Sequence, residues 1–279
     1  QGAFYPMICT ITIGQARFDA DLDAGISIAI PLDFHGAQPN AYGVADAHAE
    51  ALRAGSLVGD TRLGGSCNVE TLVLTPHCNG THTECVGHLT VERIPVTDVL
   101  PGSLIPATLV SAVLVPAAAS HESAAHNATS DDTLITATAL RHALESQDIS
   151  FGQAVIIRTL PNPESKRTRH YTRQRAPYFT VEAVQCLVER DVRHLLVDVP
   201  SLDRDDDGGE MLAHHAFWQM PVGQQRVAVG APRLRTITEM VYIPDHVPDG
   251  RYLLNLQIAA FVSDATPSRP ILYPISPEQ

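Results

Sequence analysis

The chain has 279 residues, 44% of them hydrophobic and 18% charged, a globular composition long enough to bury a substantial core. Its formal net charge of -12 argues against a general nucleic-acid binder, because phosphate contacts need a positive surface. No run of about twenty apolar residues could span a bilayer, and the opening QGAFYPMICTITIG lacks the basic start and apolar block of a signal peptide.

Taken in chain order, residues 26–32 read as the first strand, after an N-terminal extension over 1–20. Residues 46–53 read as a weak helix, and 71–75 and 109–115 as strands rich in Val, Ile and Leu. Residues 138–147 place Leu140 and Leu144 four apart, a helical spacing, with Asp148 and Ser150 beyond to end it. Strand 154–159 follows, then a polar, basic connection over 161–177. The helix over 179–190 takes Thr180 as N-cap and sets Val181, Val184, Leu187 and Val188 on one face. Strands at 194–199, 238–243 and 252–261 complete the series. Strands alternating with helices in the second half predict an α/β domain with a mixed sheet. Five cysteines (Cys9, Cys67, Cys78, Cys85, Cys186) form an odd, thinly spread set. This suits a reducing compartment, so a cytoplasmic location is expected, with Cys67 and Cys186 as buried thiols.

The stretch PHCNGTHTECVGH, residues 76–88, carries three histidines, two cysteines and a glutamate. Zinc and its neighbours need three or four such donors converging at about 2.0–2.3 Å. Asn79-Gly80 is a turn signal, so the strand ending near Pro76 reverses there and brings Cys78 or His77 close to His82. Alternation beyond the turn puts His82 and Glu84 on one side, with Thr81, Thr83 and Cys85 on the other. The spacing fits neither a zinc finger nor a helical HExxH site.

GTHTECVGH resembles the HxGTHxDxPxH signature of the metal-dependent cyclase-like hydrolase family that includes bacterial kynurenine formamidase. ISIAIPLDFHGAQPNAYG, ITATALRHALESQDISFGQAVIIRT, HLLVDVPSLD, AHHAFW, TITEMVYIP and GRYLLNLQIAAF resemble its other segments in order, so the likeness runs from about Asp21 to the end. The resemblance implies one domain over 21–279 with a mixed sheet and the swivelling β/β/α architecture. It also implies a homodimer or homotetramer acting on a small molecule, with neither nucleic acid nor membrane as partner. The metal ligands it implies fall on Cys78, His82, Glu84, His214 and Glu239, and the acid/base histidine on His88. Phe217 and Trp218 occupy the family's hydrophobic pair, which selects His214 over His215.

Departures from the signature are chemically specific. Cys78 stands where the signature has its first histidine, with His77 one place earlier, and Val86 replaces the proline. A thiolate favours zinc over manganese, so zinc is the expected ion and manganese the alternative. Glu84 for aspartate lengthens the carboxylate by one methylene. Every substituted ligand position keeps a metal-competent donor, which points to a co-adapted site. The expected activity is metal-dependent hydrolysis of a C–N bond in a small amide, such as an aryl formamide or cyclic amide, or of a related ester. The rivals are a relative that binds a small molecule without hydrolysis, and a metal-free enzyme using Cys78 as nucleophile.

Other motifs carry less. Asp203, Asp205, Asp207 and Gly208 start like a calcium loop, but the twelfth position is His214 instead of glutamate. Ser201 lacks a GxSxG elbow. KRTRHYTRQR gathers Lys166, Arg167, Arg169, Arg173 and Arg175. It reads first as a solvated loop, and otherwise as a lid recognising a carboxylate or as a contact with an acidic neighbour subunit.

Overall fold

A computed structural model of the chain describes Tyr5 and residues 7–100, 102, 104–145, 147, 149–173, 175–228 and 234–278. Its centre is set by runs that are apolar on both faces. In the strand Ala154–Leu160, Val155 and Ile157 pack outward beneath helices, while Ala154 and Ile156 face the opposite cluster with Leu109, Leu196 and Leu254. Strands apolar on both faces are those of parallel sheets covered on both sides. The neighbours Leu104–Val113 and His194–Val197 both pair with Ala154–Leu160 in parallel. Burying each such Ile, Leu or Val contributes about 1.5–3 kcal/mol.

We label the sheet strands β1 (Ile8–Ile13), β2 (Ala16–Asp21), β3 (Ile26–Ser27), β4 (His48–Ala51), β5 (Glu70–Val73), β6 (His82–Cys85), β7 (Leu104–Val113), β8 (Ala154–Leu160), β9 (His194–Val197), β10 (Thr236–Glu239), β11 (Gly250–Ile258) and β12 (Ala265–Pro277). The principal sheet runs β1-β2-β12-β11-β7-β8-β9-β10-β6, and β6 pairs back onto the start of β12. Seven strands therefore close on themselves in a barrel-like sheet, with β1 and β2 continuing it beyond β12. The sheet is mixed: β7, β8, β9 and β10 are parallel, and β6, β11 and β12 join antiparallel. The expected α/β class and mixed sheet are present; the closure through β12 had no counterpart in the sequence reading.

Helices α1 (Ala137–Leu144), α2 (Val181–Glu189) and α3 (Leu212–Phe217) bury Leu140, Leu144, Val184, Leu187 and Phe217 against the outer face. Thr180 caps α2 as expected, accepting from Ala183 N at 3.1 Å. Helix α1 starts earlier than expected because Thr136 caps it through Ala139 N at 3.2 Å. Asp148, expected to help end it, lies outside the described residues.

Several expectations are corrected. Residues 46–53 form no helix; His48–Ala51 pairs antiparallel with Glu70–Val73. Helix propensity there has no apolar stripe to bury, so strand pairing prevails. Only Ile26–Ser27 of residues 26–32 is strand. The strand at 238–243 lies earlier, at Thr236–Glu239, and Met240 ends it at a φ of 53°. Cys67 is exposed, whereas Cys186 is buried as expected. The basic connection is not simply solvated: Lys166 is buried and pairs with Asp198 at 2.7 Å.

Candidate metal centre

Parallel strands in α/β proteins deliver functional groups from their C-terminal ends. Here β10 ends on Glu239, and its antiparallel partner β6 begins on His82, so the register sets Glu239 opposite His82 and Ile237 opposite Glu84. Between them, Thr83 and Thr238 turn the other way and share a hydrogen bond at 2.8 Å. The hydrogen-bonded turn lies earlier than expected, with Cys78 N and Asn79 N both donating to Thr75 O, and the chain then bends at Asn79-Gly80, Gly80 taking a φ of 83°, left-handed backbone that glycine adopts without strain. Thr81 then donates to Met240 O and accepts from Ile30 N, locking the start of β6 beneath the site.

Helix α3 supplies His214. Asp203 caps that helix, accepting from Ala213 N and His214 N, and also takes the His214 Nδ1 proton at 2.6 Å. The acidic loop therefore builds this helix start, with Asp207 accepting from Gly209 N and Met211 N, and not a calcium site. His215 points away, its Nδ1 at 3.1 Å from Met220 O.

Four carboxylates (Glu84, Asp203, Glu239, Asp264) surround four imidazoles (His77, His82, His88, His214). His82 is fully buried, and its Nδ1 donates to Gly80 O at 3.1 Å. That fixes the tautomer, so Nε2 presents a lone pair. Glu239 Oε2 lies 3.3 Å from this Nε2, but the two make no hydrogen bond, and Nε2 is left buried without a partner. His214 repeats the arrangement. With Nδ1–H given to Asp203, Nε2 faces Glu84 Oε1 at 3.0 Å and Glu239 Oε1 at 3.7 Å. A lone pair facing two carboxylates repels them unless a cation intervenes, either a proton or a metal. Without a metal the proton wins: against the opposing effect of burial, the bonds to Asp203 and Glu84 raise the His214 pKa well above its ordinary value. Glu84 is held well below the usual carboxylate range, burial being outweighed by the charge of His88 and the bonds to His214 and His77.

The rim is differently built. His77 Nδ1 lies 2.8 Å from Glu84 Oε2, and its Nε2 lies 2.9 Å from Asp264 Oδ2. Burial opposes its charge, but these two carboxylates push its pKa up to about 10. His88 rides on a 3₁₀ turn after β6, stacks on His77 at 4.2 Å, and sets Nδ1 3.6 Å from Asp264 Oδ2.

Three sets of donors each lie within 4.8 Å of one another: His77, His82 and Glu84; Glu84, His88 and His214; His77, His88 and Asp264. Of the residues singled out in the sequence, His82, Glu84, His88 and His214 fall in these sets, and Glu239 adjoins them at 3.3 Å from His82 and 3.7 Å from His214. Among the described residues, neither Glu239 nor Cys78 belongs to such a set, and His77 belongs to two. The Cys78 thiol is buried, and that burial, with the charge of Glu239, raises its pKa. A nucleophilic thiolate needs the opposite shift.

Two groups were not singled out in the sequence. Asp264 sits just before β12 in VSDAT, outside any motif, and reaches the site only because β12 closes the sheet onto β6. Tyr42 comes from the loop after β3 at a φ of 58°; the residue is 47% exposed, and desolvation at its hydroxyl, then the charge of Glu239, raises its pKa. Tyr42, Tyr171, Ser201 and Asp203 line a cavity of about 200 Å³ beside the donors.

Comparison with known proteins agrees with this picture. The family described as "Putative cyclase" matches residues 19–204. Kynurenine formamidase of Bacillus cytotoxicus is 35% identical over 100 residues, which are 36% of this chain and 41% of that protein. The Bacillus anthracis kynurenine formamidase is 33% identical over the same shares. The chain thus spans about two fifths of the length of these curated relatives. Among solved structures, isatin hydrolase A from Labrenzia aggregata superposes with a TM-score of 0.57 at 15% identity, over 89% of this chain and 93% of that one. A predicted metal-dependent hydrolase from Bacillus stearothermophilus does so at 0.55 and 16% identity, over 89% and 97%. At that identity the likeness speaks to the fold.

Proposed function

The chain belongs to the putative cyclase family, and from that premise we propose that it is a metal-dependent hydrolase of a C–N bond in a small amide, such as an aryl formamide or cyclic amide, or of a related ester. The observation that carries this reading is the buried, unpartnered Nε2 of His82 among Glu84, His214 and Glu239. A lone pair aimed at carboxylates, with its tautomer fixed from behind, is what a divalent cation needs and what a core histidine avoids. His82, Glu84, His214 and Glu239 would hold the ion, with His77 as the further donor in place of Cys78, because the His77 ring reaches Glu84. Imidazole and carboxylate donors suit zinc, and manganese is the alternative. A bound divalent ion lowers the pKa of water from 15.7 towards about 7 and polarises a carbonyl.

The chain's own residues do the rest. Asp203 and Gly80 O fix the His214 and His82 tautomers. His88, partly exposed at the rim beside Asp264, would carry a proton to the leaving nitrogen. The cavity beside Tyr42 and Ser201 takes the small-molecule substrate.

Metal analysis of protein purified without chelator, with turnover of an aryl formamide and lactam panel, tests the proposal. One or two divalent ions per chain are expected, with activity lost on chelation and restored by zinc or manganese. Protein without metal, or metal-loaded protein inert on the whole panel, overturns it. We further propose a cytoplasmic homodimer or homotetramer. Free cysteines suit a reducing compartment, and Leu57, Leu63, Leu72 and Val73 leave an exposed apolar arm around β4 and β5. Light scattering that returns a monomer overturns the assembly.

A further inference from the structure

Two imidazoles meet Glu84, one at each oxygen, and each is tied from behind by a second carboxylate. His214 sets Nε2 3.0 Å from Oε1 and gives Nδ1–H to Asp203 at 2.6 Å. His77 is turned the other way, with Nδ1 2.8 Å from Oε2 and Nε2 2.9 Å from Asp264 Oδ2. A carboxylate behind one ring nitrogen holds the proton there and leaves the lone pair of the other for a cation. Asp203 does this for His214 from the loop before α3. Asp264 stands in the same relation to His77, although it lies 187 residues along the chain.

The fold delivers Asp264 through its backbone. Ala265 pairs with Glu84 in the β6–β12 ladder, and Asp264 O accepts from Cys85 N at 3.0 Å. Gly87 leaves room for this approach: a Cβ there would come within 3.0 Å of the Asp264 Cβ and 2.2 Å of Ile94 O. At the rim the carboxylate has two rings within range. His88 Nδ1, 3.6 Å from Oδ2, is beyond hydrogen-bond reach. His77 takes the bond.

We infer that Asp264 is a positioning residue for metal binding: by holding the Nε2 proton of His77 it presents Nδ1 beside Glu84, and so makes His77 the donor at this corner of the site. The inference rests on the metal reading of the site and is independent of which bond is hydrolysed.

The test uses the full chain loaded with zinc and isotopically labelled at its histidine nitrogens. Long-range proton–nitrogen correlation spectra show which ring nitrogen carries a proton and which the ion, and His77→Gln assigns the His77 signals. His77 should bind through Nδ1 with its proton on Nε2, the reverse of His82 and His214. That proton should exchange slowly with water, and Asp264→Ala should make its exchange fast. A His77 ring that binds through Nε2, or stays unbound while His82 and His214 carry zinc, overturns the inference and leaves the rest of the metal reading standing. If no histidine carries zinc, the metal reading itself has failed, and the inference with it.

Zinc release into excess chelator reads the loaded state alone. Asp264→Ala should release zinc about 10–100-fold faster than wild type, the cost of losing a group behind a ligand. Asp264→Asn, which keeps an acceptor oxygen for the Nε2 proton, should recover part of that. In a His77→Gln background, Asp264→Ala should change nothing further, because its partner is gone. Equal acceleration in both backgrounds means that Asp264 acts through β12 and not through His77, and overturns the inference. Should Asp264→Ala not fold, Asp264→Asn in the two backgrounds and the wild-type spectrum decide the same point.

Discussion

Buried histidines sit at opposite ends of the same strands, and the sheet treats them in opposite ways. His194 opens β9 and is 5% exposed, with Nδ1 at 2.9 Å from Thr236 Oγ1 at the start of β10. Burial, helped by the charge of Arg193, pushes its pKa down to about 4. At the other end of β10, Glu239 faces His82, and His214 lies between Asp203, Glu84 and Glu239. There carboxylates overcome burial and raise His214. The contrast recurs between neighbours: burial lowers His215, beside a backbone carbonyl, while His214 rises. Desolvation alone makes an inert neutral imidazole. Desolvation among excess carboxylates makes a place for a cation.

The largest expected effect breaks the cation end of that comparison. His82→Ala removes the one imidazole nitrogen among the described residues whose lone pair is buried and unpartnered. Its metal affinity should fall by well over the ~10–100-fold that changes behind the ligands cost, while the circular dichroism of the sheet is retained. Unaltered metal content by elemental analysis removes His82 from the site.

Next in size is His88→Ala. This partly exposed rim ring should keep near-normal metal content but lose about 10²–10⁴-fold in turnover, the range of a general acid or base. If it sheds its metal as fully as His82→Ala, His88 is a ligand and belongs to the buried set.

Why some of this was legible in the sequence and some was not follows from how far each contact travels along the chain. His82 and Glu84 are two apart on one strand, so alternation alone puts them on one face. Thr180 caps a helix that starts beside it. The residue-by-residue likeness to a known signature led to His214 and Glu239, whose partners lie well over a hundred residues away. Asp264 had no such guide: its place depends on one strand closing the sheet onto β6, a long-range pairing that local pattern does not encode. His77 and Cys78 are adjacent in a turn, where no alternation rule says which side chain points inward. The misread helix at 46–53 failed for the opposite reason, since local propensity was overruled by pairing with Glu70–Val73.

Behind the ligands, Asp203→Asn should weaken metal binding about 10–100-fold, because Asp203 orients His214 through the 2.6 Å bond to Nδ1. His215→Ala, one residue along and bonded only to a backbone carbonyl, should leave the affinity unchanged. Competition with a chromogenic chelator measures both; equal losses would show that helix α3 as a whole, and not the Asp203 bond, sets the affinity.

The smallest effect sharpens the inert end. His194 titrates at about 4 when folded and near 6.5 when unfolded. Between those values the unfolded chain binds a proton that the folded one refuses, so stability rises with pH there. No contribution exists above the unfolded value, and the penalty becomes complete below the folded one. From pH 8 down to pH 5.5 this single group should cost on the order of 1 kcal/mol. His194→Gln, which keeps a polar partner for Thr236 and cannot titrate, should therefore lose on the order of 1 kcal/mol less than wild type over that interval, whatever its stability at pH 8. Urea unfolding of the metal-loaded proteins at the two pH values measures it. Parallel losses in both proteins would mean that His194 takes up its proton inside the fold, and that burial at this end of the sheet does not by itself keep an imidazole neutral.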